Sequence, residues 1–199
     1  MIINFTKNYQ FGTRLHLQGH QLEQVHQARL LGLVVSEDLS WKSNTNFLVK
    51  KAYKRMPILT NLFQFSIPKH ELVNIYILYI RSVVEQSCVV WHSSLTKGEI
   101  LDIERVQKVA LRIILKQEYI SYENALNSCG LKTLSERRCD LALRFARKCT
   151  VNPKTTDMFP PNKQERITRV TGKFEVTRAK TVRLAKSAIP YMQNLLNSQ

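Results

Sequence analysis

The sequence predicts an α+β, mostly α fold. A small N-terminal antiparallel sheet (1–41) precedes a helical bundle (42–150) and a basic, weakly ordered tail (151–199). Three observations carry this prediction. Phe11, Thr13, Leu15 and Leu17 alternate with Gly12, Arg14, His16 and Gln18, the period of a half-buried strand. Between residues 48 and 150 apolar side chains recur at spacings of three and four, the period of an amphipathic helix. After Val151 that pattern fades among prolines and cations.

Taken in order, Ile2 to Phe5 is a short apolar run, and Val25 to Val35 is a third strand candidate. Lys7-Asn8 and Gly19-His20 supply the turns. So small a sheet needs a partner surface. Leu48, Ala52, Met56, Leu59 and Phe63 mark a first helix, which Pro57 should kink or break near Arg55 because it lacks an amide donor. Pro68 suits the start of a second helix. Leu72, Ile75, Tyr76, Tyr79, Ile80, Val83 and Val84 give that helix a broad apolar face, widened by Ile77 and Leu78.

Thr96-Lys97-Gly98-Glu99 and Thr133-Leu134-Ser135-Glu136 are capping boxes, in which hydroxyl and carboxylate each satisfy a free amide. The first opens a helix with Ile100, Ile103, Val106, Ala110, Ile113 and Ile114 on its apolar face. The second opens a helix to about Thr150, with Leu141, Leu143, Phe145 and Ala146 as its apolar part. A short helix spans Tyr122 to Asn127. Asn152-Pro153 and Pro160-Pro161 mark a linker, 162–186 is basic and loosely ordered, and Ile189 to Leu196 forms a terminal helix docking on the bundle.

The chain has 199 residues and a net charge of +15. Residues 1–99 carry 11 basic and 6 acidic side chains, and residues 100–199 carry 19 and 9. Such a balance favours a polyanionic partner, nucleic acid first. The cysteines, Cys88, Cys129, Cys139 and Cys149, form no C-x-x-C pair and read as reduced thiols. An intracellular location, nucleus or cytoplasm, is expected. Arg81, Glu85 and Gln86 interrupt the most apolar stretch, so no membrane partner is expected.

Several chemistries lack their residues. Two-metal phosphoryl transfer needs clustered carboxylates, and the only adjacent acidic pair, Glu37-Asp38, reads as a turn. There is no phosphate-binding G-x-x-x-x-G-K-[ST] loop and no H-E-x-x-H. His20 and His26 read as strand-end histidines, with a shared metal as the lesser reading. Cationic clusters are better represented. Lys50, Lys51, Lys54 and Arg55 fall on about two turns of helix. Arg105, Lys108 and Arg112 share one face, and Arg137, Arg138, Arg144, Arg147 and Lys148 make a third set. Any one set can be a solvated face; three together favour backbone phosphate contact, which is independent of base sequence. Tyr53 and Tyr122 lie nearby for stacking, with core packing the plainer role.

One ordered series of landmarks adds a family. Leu31-Gly32 opens an apolar run that closes at Asp38-Leu39-Ser40-Trp41, and a long helical segment ends at Trp91. Ile103-Glu104-Arg105-Val106-Gln107-Lys108 follows, then Leu134-Ser135-Glu136-Arg137-Arg138. In this order they resemble the C-terminal part of the reverse transcriptase of non-LTR (LINE-type) retrotransposons. The resemblance implies the end of the palm over the first residues and a primer-grip role around Leu31, Gly32 and Trp41. It implies a thumb from about Asn44 to Thr150, whose cations hold an RNA/DNA template–primer. Asn44, where many relatives have histidine, and Pro57 depart from the pattern. The resemblance places the F/Y-x-D-D carboxylates in a palm domain upstream, so it assigns no catalytic residue here, and magnesium belongs only to the full-length enzyme. A second reading stays open, a self-sufficient basic helical module that binds RNA or a protein partner. An enzyme of another kind would need convergent titratable groups in a pocket.

Overall fold

The fold, taken from a computed structural model, is described for residues 1–5, 15–162 and 172–199. It is α+β and mostly α. Two antiparallel two-stranded sheets lead: β1 (His16–Leu17) with β2 (His20–Gln21), and β3 (Gln27–Leu30) with β4 (Leu33–Ser36). The single strand expected over Val25–Val35 is therefore a hairpin. Leu31 and Gly32 form its turn, at φ 49° and 85°, the left-handed pair that a two-residue hairpin of the right twist demands. Ile2 forms one parallel bridge to Gln24. The strand expected over Phe11–Leu17 lies mostly outside the described residues, as does the Lys7-Asn8 turn.

Helices follow. α1 (Lys42–Tyr53) stops at Lys54, and α2 (Met56–Gln64) starts at once. The cause is Pro57. In a continuous helix its missing amide would leave the Tyr53 carbonyl unbonded, whereas in the first turn of α2 no donor is needed. α3 (Lys69–Ile75) begins after Pro68 and runs into a π-helical turn, Tyr76–Arg81, then α4 (Ser82–Val84). The wide turn corrects the predicted face. Tyr76 and Ile80 are buried, but Leu78 and Tyr79 swing out to 75% and 45% exposure. The segment also does not run unbroken to Trp91: Ser87 at φ 49° separates α4 from α5 (Cys88–Trp91) and the 3₁₀ turn His92–Ser94.

α6 (Lys97–Leu115) and α8 (Leu134–Val151) begin at the expected capping boxes. In each, the Thr hydroxyl accepts from the Glu amide while the Glu carboxylate accepts from the Thr amide. Between them lies α7 (Tyr122–Cys129), closed by Gly130 at φ 63°. The short α9 (Val182–Ala185) and α10 (Ala188–Asn197) end the chain.

α6 is the axis of the bundle, packing on α1, α2, α3, α7 and α8. Ile103, Val106, Ala110, Leu111, Ile114 and Leu115 are buried along it. Each large apolar side chain among them contributes about 1.5–3 kcal/mol, enough together to offset enclosing Glu104 and Gln107 on the same helix. The main core joins α1–α6 and Leu134. A second core forms where α10 docks on α8, with Met192, Phe159, Ala142, Ala146 and Cys149. Phe145, expected inside, is 44% exposed; the buried stripe of α8 is Leu134, Arg138, Ala142, Ala146 and Cys149 instead. The β3–β4 hairpin leans on α1, where Asn44 Oδ1 accepts the Val34 amide at 3.1 Å.

No single helix among the described residues is long and apolar enough to cross a membrane. Only the pair 69–84 and 88–94, bent by 44°, passes together on length and composition.

Candidate nucleic-acid interface

Helical spacing puts Arg105, Lys108 and Arg112 on the side of α6 away from its core, at intervals of three and four, and Lys116 follows in the turn just after the helix at φ 43°. Arg105 is largely exposed and pairs with Asp102 at 2.6 Å. The other three rest on aromatic rings. Lys108 Nζ lies 4.8 Å from the Tyr122 centroid, Arg112 5.3 Å from that of Tyr119, and Lys116 Nζ 3.9 Å from that of Phe63. These contacts hold the stems in place without neutralising the charge. The result is a stripe of positioned cations with one internal carboxylate. Lys116 extends the expected trio from beyond the helix end, set by its left-handed backbone and by Phe63 of α2, for which helical spacing gave no signal.

The rings under the stripe are anchored below. Tyr122 donates its hydroxyl to Glu104, accepts from Gln107 Nε2 at 2.9 Å, and its phenol is pushed well up by burial and by that carboxylate. Glu104 Oε1 also accepts the Leu134 amide at 3.1 Å. Gln107 Oε1 accepts from Tyr76 at 2.6 Å, and Gln107 Nε2 also donates to the Lys132 carbonyl at 3.0 Å. One polar network therefore ties α6 to the π turn, α7 and the start of α8. Tyr122, expected near the cations, is there, but its hydroxyl is committed and its ring lies under Lys108.

The α1 set behaves differently. Lys50 and Lys54 are exposed and have no ion-pair partner among the described residues. Lys51 is half-buried over Phe47, whose ring also carries the Arg29 guanidinium at 4.9 Å. Arg29 thus joins this set from β3, a contact that helical spacing could not reveal. Arg55 turns away, donating to the Tyr79 carbonyl at 2.5 Å and stacking on its ring at 4.4 Å.

The α8 set divides. Arg144, Arg147 and Lys148 are exposed, with Arg147 donating to Gln199 at 3.1 Å. Arg137 is spent on Glu85 at 2.5 Å, which also faces Arg81 at 3.5 Å. Arg138 is fully buried, so its guanidinium does not reach solvent and leaves the interface. The reason is register: Leu134, Arg138 and Ala142 lie four apart on the inward stripe of α8. Arg138 Nε donates to His92 Nδ1 at 3.4 Å, which leaves His92 Nε2 as the protonated nitrogen. That nitrogen faces Cys139 Sγ at 3.4 Å and the Tyr191 hydroxyl at 3.3 Å, linking α8 to α10. Burial and the Arg138 charge push the His92 imidazole down to about 4.

In the primer-grip-like segment, Leu31 is 91% exposed at the hairpin tip. Gly32 sits at φ 85°, a backbone that favours glycine, and an added Cβ there would meet the movable Gln86 carboxamide. Trp41 is half-buried at the start of α1 against the main core. These residues are not one cluster: tip and indole stand at opposite ends of the segment. Glu37-Asp38 forms the turn between β4 and α1, with Asp38 accepting the Ser40 amide at 3.0 Å and Glu37 bonded to His26 at 2.9 Å. Among the described residues no group of three or more His, Cys, Asp or Glu is placed to hold a metal ion. Compared with protein-family models, curated proteins and solved structures, the chain matches none.

Proposed function

We propose that this chain is the duplex-holding, non-catalytic part of a retrotransposon reverse transcriptase, gripping an RNA/DNA primer–template by its phosphates. The α6 stripe carries the reading. Lys108, Arg112 and Lys116 are fixed on rings and have no acidic partner among the described residues, so their charge is available to a polyanion. Lys50 on α1, which packs on α6, and Lys54 just after it add exposed cations, and the net charge of +15 steers the encounter. The exposed Leu31 tip and Trp41 supply the primer-grip contacts in this reading. Chain extension falls to carboxylates and magnesium of the parent enzyme's palm domain.

The test is binding of a labelled RNA/DNA primer–template followed by fluorescence anisotropy. Replacing Lys108, Arg112 and Lys116 together by Gln should weaken binding at least tenfold while the helical circular dichroism stays unchanged. Equal affinity in the triple variant rejects the stripe as the interface.

A second reading has its own support. The α10 core closes the bundle over α5 and α8, as a self-sufficient basic helical module requires. Its partner would be a structured RNA or an acidic protein. A preference of more than tenfold for such a partner over the RNA/DNA hybrid decides for it.

A further inference from the structure

A cleft of about 690 Å³ lies between the turn at 38–42, the start of α6 and α9. It adjoins an apolar recess of about 340 Å³, and Leu39, Trp41, Ser94 and Arg183 line both. Volumes in this range hold small organic ligands. The Ser94 hydroxyl donates to the Lys186 carbonyl at 2.8 Å and fastens α9 to the bundle as one wall. Trp41 and the half-exposed Leu39 form the apolar side.

The charges around the cleft are unequal in what remains free. Of its three carboxylates Asp102 is offset by Arg105, while Asp38 and Glu99 keep their charge and turn oxygens to Ser40 and Thr96, which leaves three cations against two anions. Asp38 accepts the Ser40 amide, Glu99 is bound by the Thr96 amide and hydroxyl, and Asp102 holds Arg105. At the start of α6 the capping box takes the Thr96 and Glu99 amides. Lys42, Arg183 and Lys186 also line the cleft and have no ion-pair partner among the described residues. Arg183 is felt by Asp38, whose carboxyl is lowered first by the Ser40 amide and to a smaller degree by this guanidinium, without a direct pair.

An indole wall beside three free cations matches a planar aromatic group that carries an anion. We propose that this cleft binds a nucleoside phosphate, with the base against Trp41 and Leu39 and the phosphate on Lys42, Arg183 and Lys186. Stacking on an aromatic face is open to any base, and a guanidinium matches phosphate geometry, so the site selects the chemical class and not a particular base. The proposal uses none of the stripe's cations and survives if duplex gripping fails, although Asp102 borders both sites and Trp41 is also a primer-grip residue in that reading. The nucleoside phosphate comes either free in solution or as part of a single strand.

Trp41 itself reports on the site, because the other tryptophan, Trp91, is fully buried. The probes are adenosine monophosphate, adenosine, inorganic phosphate and a single-stranded hexa-deoxyadenylate. Saturable quenching by the monophosphate, at least tenfold tighter than by adenosine or phosphate, is expected. Trp41→Phe should abolish the signal. The exposed pair Arg183→Gln and Lys186→Gln should weaken the monophosphate at least fivefold and leave adenosine unchanged. A hexanucleotide tighter than the monophosphate identifies strand binding, and the reverse identifies free nucleotide. Absence of saturable quenching by both, or quenching indifferent to the Arg183/Lys186 pair, overturns the proposal. The triple Gln variant of the α6 stripe should retain monophosphate binding, which separates this outcome from that of duplex binding.

Discussion

At the scale of single residues, buried titratable groups set the behaviour of the bundle. His92 is enclosed beside Arg138, and its imidazole is lowered to about 4. In the unfolded chain the same ring takes up its proton near pH 6.5. The folded state binds fewer protons between these values. Its stability from this group is therefore complete above pH 6.5 and lost as pH falls toward 4, by about 3 kcal/mol in all. Urea denaturation at neutral pH and at about pH 4.5 should show this loss in the native chain. A His92→Gln variant should show a pH dependence shallower by about 2 kcal/mol or more. Equal slopes in both would mean that folding leaves the proton affinity of His92 unchanged. Arg138 supplies a companion test. Its terminal nitrogens and Glu104 Oε2 lack hydrogen-bond partners among the described residues, so the two charges are held by each other's field. Glu104→Gln should cost about 2–3 kcal/mol, since it strands a buried guanidinium, while adding Arg138→Met should restore most of the loss. A double variant as unstable as the sum of the singles would show that the pair is uncoupled.

At the scale of elements, start and stop signals govern the helices. Thr133→Ala removes the hydroxyl that accepts the Glu136 amide at 3.1 Å. It should lower stability by about 1 kcal/mol in thermal or urea unfolding. No measurable change would mean that the start of α8 is held by packing alone. Such signals were legible because they are local. Thr96-x-x-Glu99, Thr133-x-x-Glu136, Pro57 and Pro68 each act within a turn, and each predicted boundary stands. What failed depended on geometry that periodicity assumes. The π turn at Tyr76–Arg81 adds a residue to one turn and rotates Leu78 and Tyr79 out of the core. The Leu31-Gly32 pair reads as part of an apolar run, yet its left-handed backbone reverses the chain. In α8 a run of cations hid which one faces inward; Leu134 and Ala142, each four residues away, were the clue to Arg138.

At the scale of the whole molecule, charge and core are arranged for different tasks. The interior is closed by three apolar clusters and by the Tyr76–Gln107–Tyr122–Glu104 network. The surplus cations are divided among α1, α6, α8 and the residues after 151. The sequence made the clusters visible as spacing on a helix. It did not show which cations are consumed internally, because Glu85 with Arg137 and His92 with Arg138 are contacts across 52 and 46 residues of chain. The Lys42, Arg183 and Lys186 cleft was hidden for the same reason, with its cations far apart in sequence. In the proposed function, the ring-held cations on and just after α6 meet the phosphates of a duplex. Each phosphate contact releases a counterion, so affinity falls linearly with salt on logarithmic axes. The direct measurement is that slope for an RNA/DNA primer–template, in the native chain and in the triple Gln variant at Lys108, Arg112 and Lys116. Phosphate contact by these cations requires a steep native slope that becomes shallower by about two to three in the variant. A native slope near zero, or identical slopes in the two proteins, contradicts it.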